Sequence, residues 1–331
     1  MSKTIVIIGI TGIQVGIRHF QLQPYEDYTN WLRDLPSPTL SYVFRDEMSV
    51  AFREIRDLDD KQSLFPAFEG ATIVFSNTDF FGHLFYALAP KDGLGGRTPN
   101  QYAFDREVEQ GINIAEAAAR PTTMKTLERF VLSSLSDARK WSHGKYTHVY
   151  HNDAKIEIIR AIETRFPELA ARMSLLQVGH YVRNWQTSPP LAPQKQSDGS
   201  YVIQRTFSAE FKVPFVVTHK DTGTFVKALA DMPPKTDLLG VSEEMTWPEW
   251  TKLWGDTLGV KATFKQVSED DFFRGVPEPL KKELAETFAY ADEFGYTGGD
   301  PDVVTAEQLG VQLPLTSMEE YFKSEDWSSV L

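Results

Sequence analysis

The chain of 331 residues contains no cysteine. Disulfides, thiolate metal sites and a cysteine nucleophile are excluded, and any bound metal would have to be held by histidine and carboxylates. Long apolar runs are missing too: nothing approaches the ~18 to 20 consecutive apolar residues that a membrane helix needs. Positive charge is scarce, with 34 Lys and Arg against 46 Asp and Glu and a formal net charge of −12. Such a surface repels a phosphate backbone on average, which argues against direct nucleic-acid binding but leaves room for a local basic groove that takes one small anion. The opening "MSKTIVIIGI" has no cationic leader ahead of its apolar run. These absences predict a cytoplasmic protein, with the nucleus also open, and no membrane partner.

What is present suits a large α/β fold. Apolar residues make up 41% and charged residues 24%, enough for a sizeable core. Short β-branched or aromatic runs at 4–9, 50–55, 71–77, 129–134 and 174–179 predict strands. Helical periods lie between them: 105–120 places Val108, Ile112, Ile114 or Ala115, and Ala119 along one face, and 153–166 does so with Ile156, Ile159 and Ile162. Alternation of this kind predicts βαβ units, hence a Rossmann-like doubly wound parallel sheet. Beyond residue 180 the Pro- and Ser-rich "NWQTSPPLAPQKQSDGSY" marks departure into a smaller mixed α/β lobe. The expected division is 1–180 for the dinucleotide-type domain, with 206–232 returning to it, and 181–205 with 233–331 for the lobe. In that lobe "TWPEWTKLWGDTLG" reads as a helix capped by Thr246, its Trp247, Trp250 and Trp254 forming core, and "DTG" at 221–223 reads as a capped turn before a helix. Residues 17–56 have poor periodicity and give no clear second strand.

The first run, "TIVIIGITGIQVGIRHF", is a strand breaking into glycines. A dinucleotide site needs such a strand, a tight turn and a helix whose free N–H groups meet the pyrophosphate. Gly9, Gly12 and Gly16 give G-x-x-G-x-x-x-G, which matches no fingerprint in full because Val15 stands where one version wants glycine. An ordinary strand-to-helix turn is the alternative.

Eight stretches in order, "GITGIQ", "DLDDKQSL", "VFSNTDFF", "RFVLSS", "YHNDAK", "LLQVGHYVRNW", "KDTGTFV" and "SMEEYF", resemble the NmrA-like family over nearly the whole chain except roughly 17–56. These are atypical members of the short-chain dehydrogenase/reductase superfamily, with isoflavone-reductase-like relatives. The resemblance implies NADP(H) at the carboxyl edge of the sheet. Gly9, Thr11, Gly12 and Gln14 would line the pyrophosphate, Asp57 and Leu58 the adenine, and Asn77 and Thr78 the ribose and nicotinamide side. Arg33 in "WLRDLPSP" matches the arginine that pairs with a 2′-phosphate, a bidentate contact for which its fork is suited, with Arg45 as fallback; a solvated surface charge is the other reading of Arg33. Asp57 or Asp59 capping a helix is the plain alternative at "DDKQSL".

Conventional relatives use Tyr-x-x-x-Lys on one helix. Here Lys155 is present, but four residues earlier stands His151 in place of the tyrosine. Lys155 would hold the cofactor, and His151 is a candidate proton donor, since imidazole titrates near neutrality. Ser133 and Ser134 stand at the strand end where the family's short-chain ancestors keep a serine that polarises a carbonyl, a common place for serine in any case, and Tyr181 and Asn184 are candidates for a substrate-facing seam, with core packing the other reading of Tyr181. His143, His148 and His151 lack the further ligand that a metal would want, and none is expected. Two functions follow: an NADPH-dependent oxidoreductase acting on a small organic metabolite, or a non-catalytic NAD(P)-sensing regulator that binds a protein such as a transcription factor. The missing tyrosine suits the second and the retained lysine the first.

Overall fold

The structure, a computed structural model, describes residues 4–8, 42–45, 58–89, 93–187 and 189–331. β-Branched and aromatic runs form a seven-stranded sheet: β1 (Thr4–Ile7), β2 (Tyr42–Arg45), β3 (Ile73–Ser76), β4 (Arg129–Ser134), β5 (Met173–Val178), β6 (Asp237–Gly240) and β7 (Val303–Thr305). Their order across the sheet is β7-β6-β5-β4-β3-β1-β2. All neighbours are parallel except β1 and β2.

The period of two along each strand decides which side chains face which helices. Val6, Ile8, Val74, Phe130 and Leu132 point to one side, into a core shared with helices α1 (Lys61–Phe68), α3 (Pro99–Ala118) and α4 (Tyr150–Arg165), while α2 (Phe80–Leu88) packs beside α3. Ile7, Phe75, Val131 and Leu176 point to the other, onto Phe225, Val226 and Leu229 of α5 (Thr218–Asp231). Helices on both faces of a mostly parallel sheet make the fold Rossmann-like α/β, as the sequence predicts.

Two three-stranded sheets carry the rest. One runs Glu243–Thr246, Lys212–Val216, His180–Tyr181, and the other Ala262–Gln266, Tyr201–Arg205, Gln194–Lys195. Beside them lie α6 (Trp247–Leu258), α7 (Glu278–Phe294) and α8 (Met318–Ser324). Trp247, Trp250 and Trp254 are core here, packed with Trp185, Tyr321, Phe322 and Trp327. Thr246 caps α6 reciprocally with Glu249. The pairing crosses the division expected from the sequence, because β6 and β7, both from 233–331, complete the main sheet. Among the described residues no helix is long and apolar enough to cross a membrane.

Several local expectations are corrected. "DTG" is no turn: Asp221 lies in the first turn of α5, which begins at Thr218, and its carboxylate accepts from Ser242 Oγ and Thr316 Oγ1. Helix α3 starts six residues ahead of the expected 105, because Thr98, Pro99 and Gln101 form a capping box with proline in the first turn. Its buried face is also rotated, running through Glu107, Gly111, Ile114 and Ala118 instead of Val108, Ile112 and Ala119. In α4 the buried line is Ala154, Lys155, Ile158 and Ile162, with Ile156 and Ile159 at its flank. The cap of α1 is Asp60, which accepts from the Gln62 N–H, and not Asp59, which is bonded to Gln110. The strand expected at 50–55 lies outside the described residues; the strand at Tyr42–Arg45 carried no periodic signal.

Candidate functional site

Open parallel sheets bind ligands at the carboxyl ends of their strands. Gly9, Thr11, Gly12, Gln14, Arg33 and Asp57, which the sequence assigns to such a site, lie outside the described residues. Arg45 is paired with Thr4, at the amino end of β1, so its register puts it at the opposite edge from the one a 2′-phosphate would occupy. Leu58 is buried in the core, and its carbonyl accepts from Asn113 Nδ2 on α3.

Asn77 and Thr78 directly follow β3, and α4 brings Lys155 to them. The Lys155 ammonium donates to Thr78 Oγ1 at 2.7 Å and Thr78 O at 3.1 Å, and pairs with Glu107 Oε1 at 3.0 Å. Thr78 Oγ1 in turn donates to the same carboxylate oxygen at 2.8 Å. Lys155 is 5% exposed and Glu107 fully buried. Glu107 reaches across from α3 because Gly111, one turn on, lets α3 approach α4: a side chain at Gly111 would overlap Ile158. Glu107 was missed in the sequence, where a helical acid reads as solvated surface.

His151 stands one turn before Lys155 and meets the same segment, its ring 6.0 Å from that of Phe80 and 5.2 Å from that of Phe81. Its Nδ1 is 2.7 Å from Glu283 Oε1 on α7, and its backbone N–H donates to that oxygen at 2.9 Å. Asn100 Nδ2 donates to the other oxygen, Oε2, at 2.8 Å. One turn further along α7, Glu286 accepts from the backbone N–H groups of Thr147 and His148, both at 2.7 Å, and from His148 Nδ1 at 3.0 Å. The two acids supply the cap that Val149, at the start of α4, cannot. His148 precedes α4, so it does not share a helical face with His151. Among the described residues no three His, Asp or Glu side chains are grouped to hold a metal.

The remaining candidates fall elsewhere. Ser134 is 1% exposed and its Oγ donates to the Leu135 carbonyl at 3.3 Å. Ser136, two residues on, bonds Tyr290 Oη at 2.6 Å and the Thr297 carbonyl at 2.9 Å, tying β4 to α7; burial pushes the Tyr290 phenol up to about 12. Tyr181 pairs with Val216 and packs half-buried against the core cluster on the α5 side of the sheet. Asn184 begins a four-residue helix whose Trp185 stacks on Trp327. The crossover into this region needs Gly179, since a Cβ there would strike the Pro214 carbonyl. His180 is held neutral, its pKa pushed down to about 3 by burial and then by the Arg205 guanidinium. Arg205 stacks 3.8 Å over Trp247.

A nicotinamide dinucleotide is the cofactor that the resemblance implies, and the described residues fit its ribose. Glu107 Oε2 is a buried acceptor without a donor among them. Next to it stand an ammonium and a hydroxyl, so the group offers both halves of what a sugar hydroxyl needs. A sugar hydroxyl donating to Oε2 would stand beside the Lys155 ammonium, which already donates to Thr78 Oγ1 and Thr78 O.

A family model of the NmrA-like family matches residues 1–322. Among solved structures, Nmra, a negative transcriptional regulator in complex with NADP, is 16% identical with a TM-score of 0.56, over 84% of this chain and 82% of that one. The NADPH-dependent quinone oxidoreductase of Escherichia coli complexed with NADPH is 16% identical with a TM-score of 0.53, over 82% of each chain. The Citrobacter sp. triphenylmethane reductase complexed with NADP(H) is 15% identical with a TM-score of 0.52, over 81% of each. No curated protein matches the chain. At these identities the structures share the fold, and the family model settles the kinship: the chain belongs to the NmrA-like family.

Proposed function

We propose that the protein binds NADP(H) and reduces a small, apolar or aromatic organic metabolite carrying a carbonyl or enone. The observation that carries this reading is the meeting of Lys155 and His151, one turn apart on α4, with the segment Thr78–Phe81 at the carboxyl end of β3. When bound, the reduced dinucleotide supplies hydride. Lys155 and Thr78 would hold its ribose, and His151 would deliver the proton, with Phe80 and Phe81 keeping water away from the imidazole. Gly9, Thr11, Gly12 and Gln14 would take the pyrophosphate, Asp57 the adenine, Asn77 the nicotinamide side and Arg33 the 2′-phosphate. Tyr181 and Asn184 would line the substrate side, and Ser134 is left with a supporting role at the end of β4. Structures of the same fold bind NADP or NADPH and include two reductases.

The bonds from Lys155 to Thr78 and its pairing with Glu107 favour a second reading, a non-catalytic NAD(P) sensor with a protein partner, as an ammonium already held by protein groups is less available for chemistry. One structure of the same fold is described as a negative transcriptional regulator. Calorimetry with NADPH, NADP⁺, NADH and NAD⁺ tests both, with Gly12→Val and Arg33→Ala as controls. Tight binding that prefers the 2′-phosphate and drops at least tenfold in either variant supports the cofactor site. Oxidation of bound NADPH by aromatic carbonyls or quinones then selects the reductase; binding without turnover selects the sensor. Absence of binding to all four overturns both.

A further inference from the structure

We infer that Glu283, steadied by Asn100, is a positioning residue that fixes which ring nitrogen of His151 exchanges protons, so that helix α7 is a working part of the site and not only of the adjoining lobe. This rests on the proposed role of His151 as proton donor. The geometry is specific. Glu283 is fully buried, and both oxygens are engaged: Oε1 takes the His151 backbone N–H and Nδ1, Oε2 takes Asn100 Nδ2. Asn100 is itself held by the Pro279 carbonyl at 3.1 Å, one turn ahead of Glu283 on the same stretch of chain. The carboxylate is therefore anchored against rotation, and the imidazole is gripped at Nδ1 and at its own backbone.

A carboxylate has no hydrogen to give, so the hydrogen in the short contact sits on Nδ1. Nε2 finds no hydrogen-bond partner among the described residues. An isolated neutral imidazole carries its hydrogen mainly on Nε2; Glu283 reverses that preference. In the proposed reduction, for which bound NADPH would supply the hydride, His151 would give its Nε2 proton to the substrate's carbonyl oxygen, keep the Nδ1 hydrogen donated to Glu283, and regain the Nε2 proton from solvent. Orienting a histidine by a carboxylate on its far nitrogen is the general way to fix its tautomer. The sequence held no sign of this partnership, since Glu283 follows 132 residues after His151 and sits in an unremarkable "KKELAE".

The alternative is that Glu283 merely caps α4. Long-range ¹H–¹⁵N correlation spectra of the imidazoles, recorded on the intact protein at a pH where His151 is neutral and assigned with His151→Asn, separate the two. The expected wild-type pattern is Nδ1–H with a bare Nε2, switching to Nε2–H in Glu283→Ala. A wild-type Nε2–H pattern overturns the inference, and so does an Nδ1–H pattern that survives Glu283→Ala. The wild-type spectrum decides by itself if that variant does not fold. Titration of the same sample with NADPH reports cofactor binding separately, so that loss of the proposed function and loss of this inference are read from different signals.

Discussion

Glu107 and Lys155 stand 3.0 Å apart between α3 and α4, both sealed from solvent, with Thr78 closing the triangle. A pair of this kind contributes little net stability over a well-packed apolar pair, but removing one member strands a buried charge. Lys155→Ala is therefore expected to cost about 3 to 5 kcal/mol. Lys155→Met combined with Glu107→Leu should recover most of that loss. Urea unfolding of the three proteins checks it; a Lys155→Ala loss below about 1 kcal/mol contradicts the buried pairing. Activity measured on Lys155→Ala alone therefore confounds chemistry with folding.

The approach of α3 to α4 depends on the absence of a side chain at Gly111, whose added methyl would overlap Ile158. Gly111→Ala should destabilise by about 1 to 3 kcal/mol through overpacking, despite alanine's better helix propensity. Together with Ile158→Ala it should be less damaging than the two single losses summed, by about 1 kcal/mol or more. Additive losses in thermal or chemical unfolding mean that α3 and α4 do not meet there.

Asp237, at the start of β6, has its pKa raised to about 7, chiefly by burial and further by Asp300 and Asp302, with Gln177 Nε2 at 3.1 Å opposing the rise. The unfolded chain loses that proton near ~3.9. Between these values the native state holds a proton that the unfolded state has released, so this group makes stability fall as pH rises from about 4 to about 7, the penalty being complete above. Asp237→Asn should raise Tm above that of the wild type at pH 8, by about 2 °C for each kcal/mol relieved, and leave it unchanged near pH 4. Equal Tm differences at both pH values contradict a buried, proton-holding Asp237.

The alternation of strands and helices was legible because core runs are apolar and of the right length: β3, β4, β5 and α6 fall within a residue or two of their expected places. The same hydrophobic logic failed on α3, where Asn100, Glu107, Gln110 and Asn113 face inward. A periodicity argument assigns such residues to solvent and so turns the helix the wrong way. Lys155 and His151 were found through their spacing. Their partners were not, because Glu107 and Glu283 lie far off in sequence and no local signal announces a buried acid. Strand β2 escaped because four residues offer too short a pattern.

The grip of α7 on residues 147–151 also bears on the order in which the protein acquires its parts. The bond from His151 to Glu283 closes a loop of 132 residues, and that from Asn100 to Glu283 one of 183. Contacts so distant form late, after the entropy of closing the loop has been met by nearer ones. During synthesis β1 to β5 and the Lys155–Glu107 pair can assemble while Glu283 is still untranslated, so the nascent chain can hold most of its sheet, still lacking β7, around an imidazole not yet told which nitrogen to protonate.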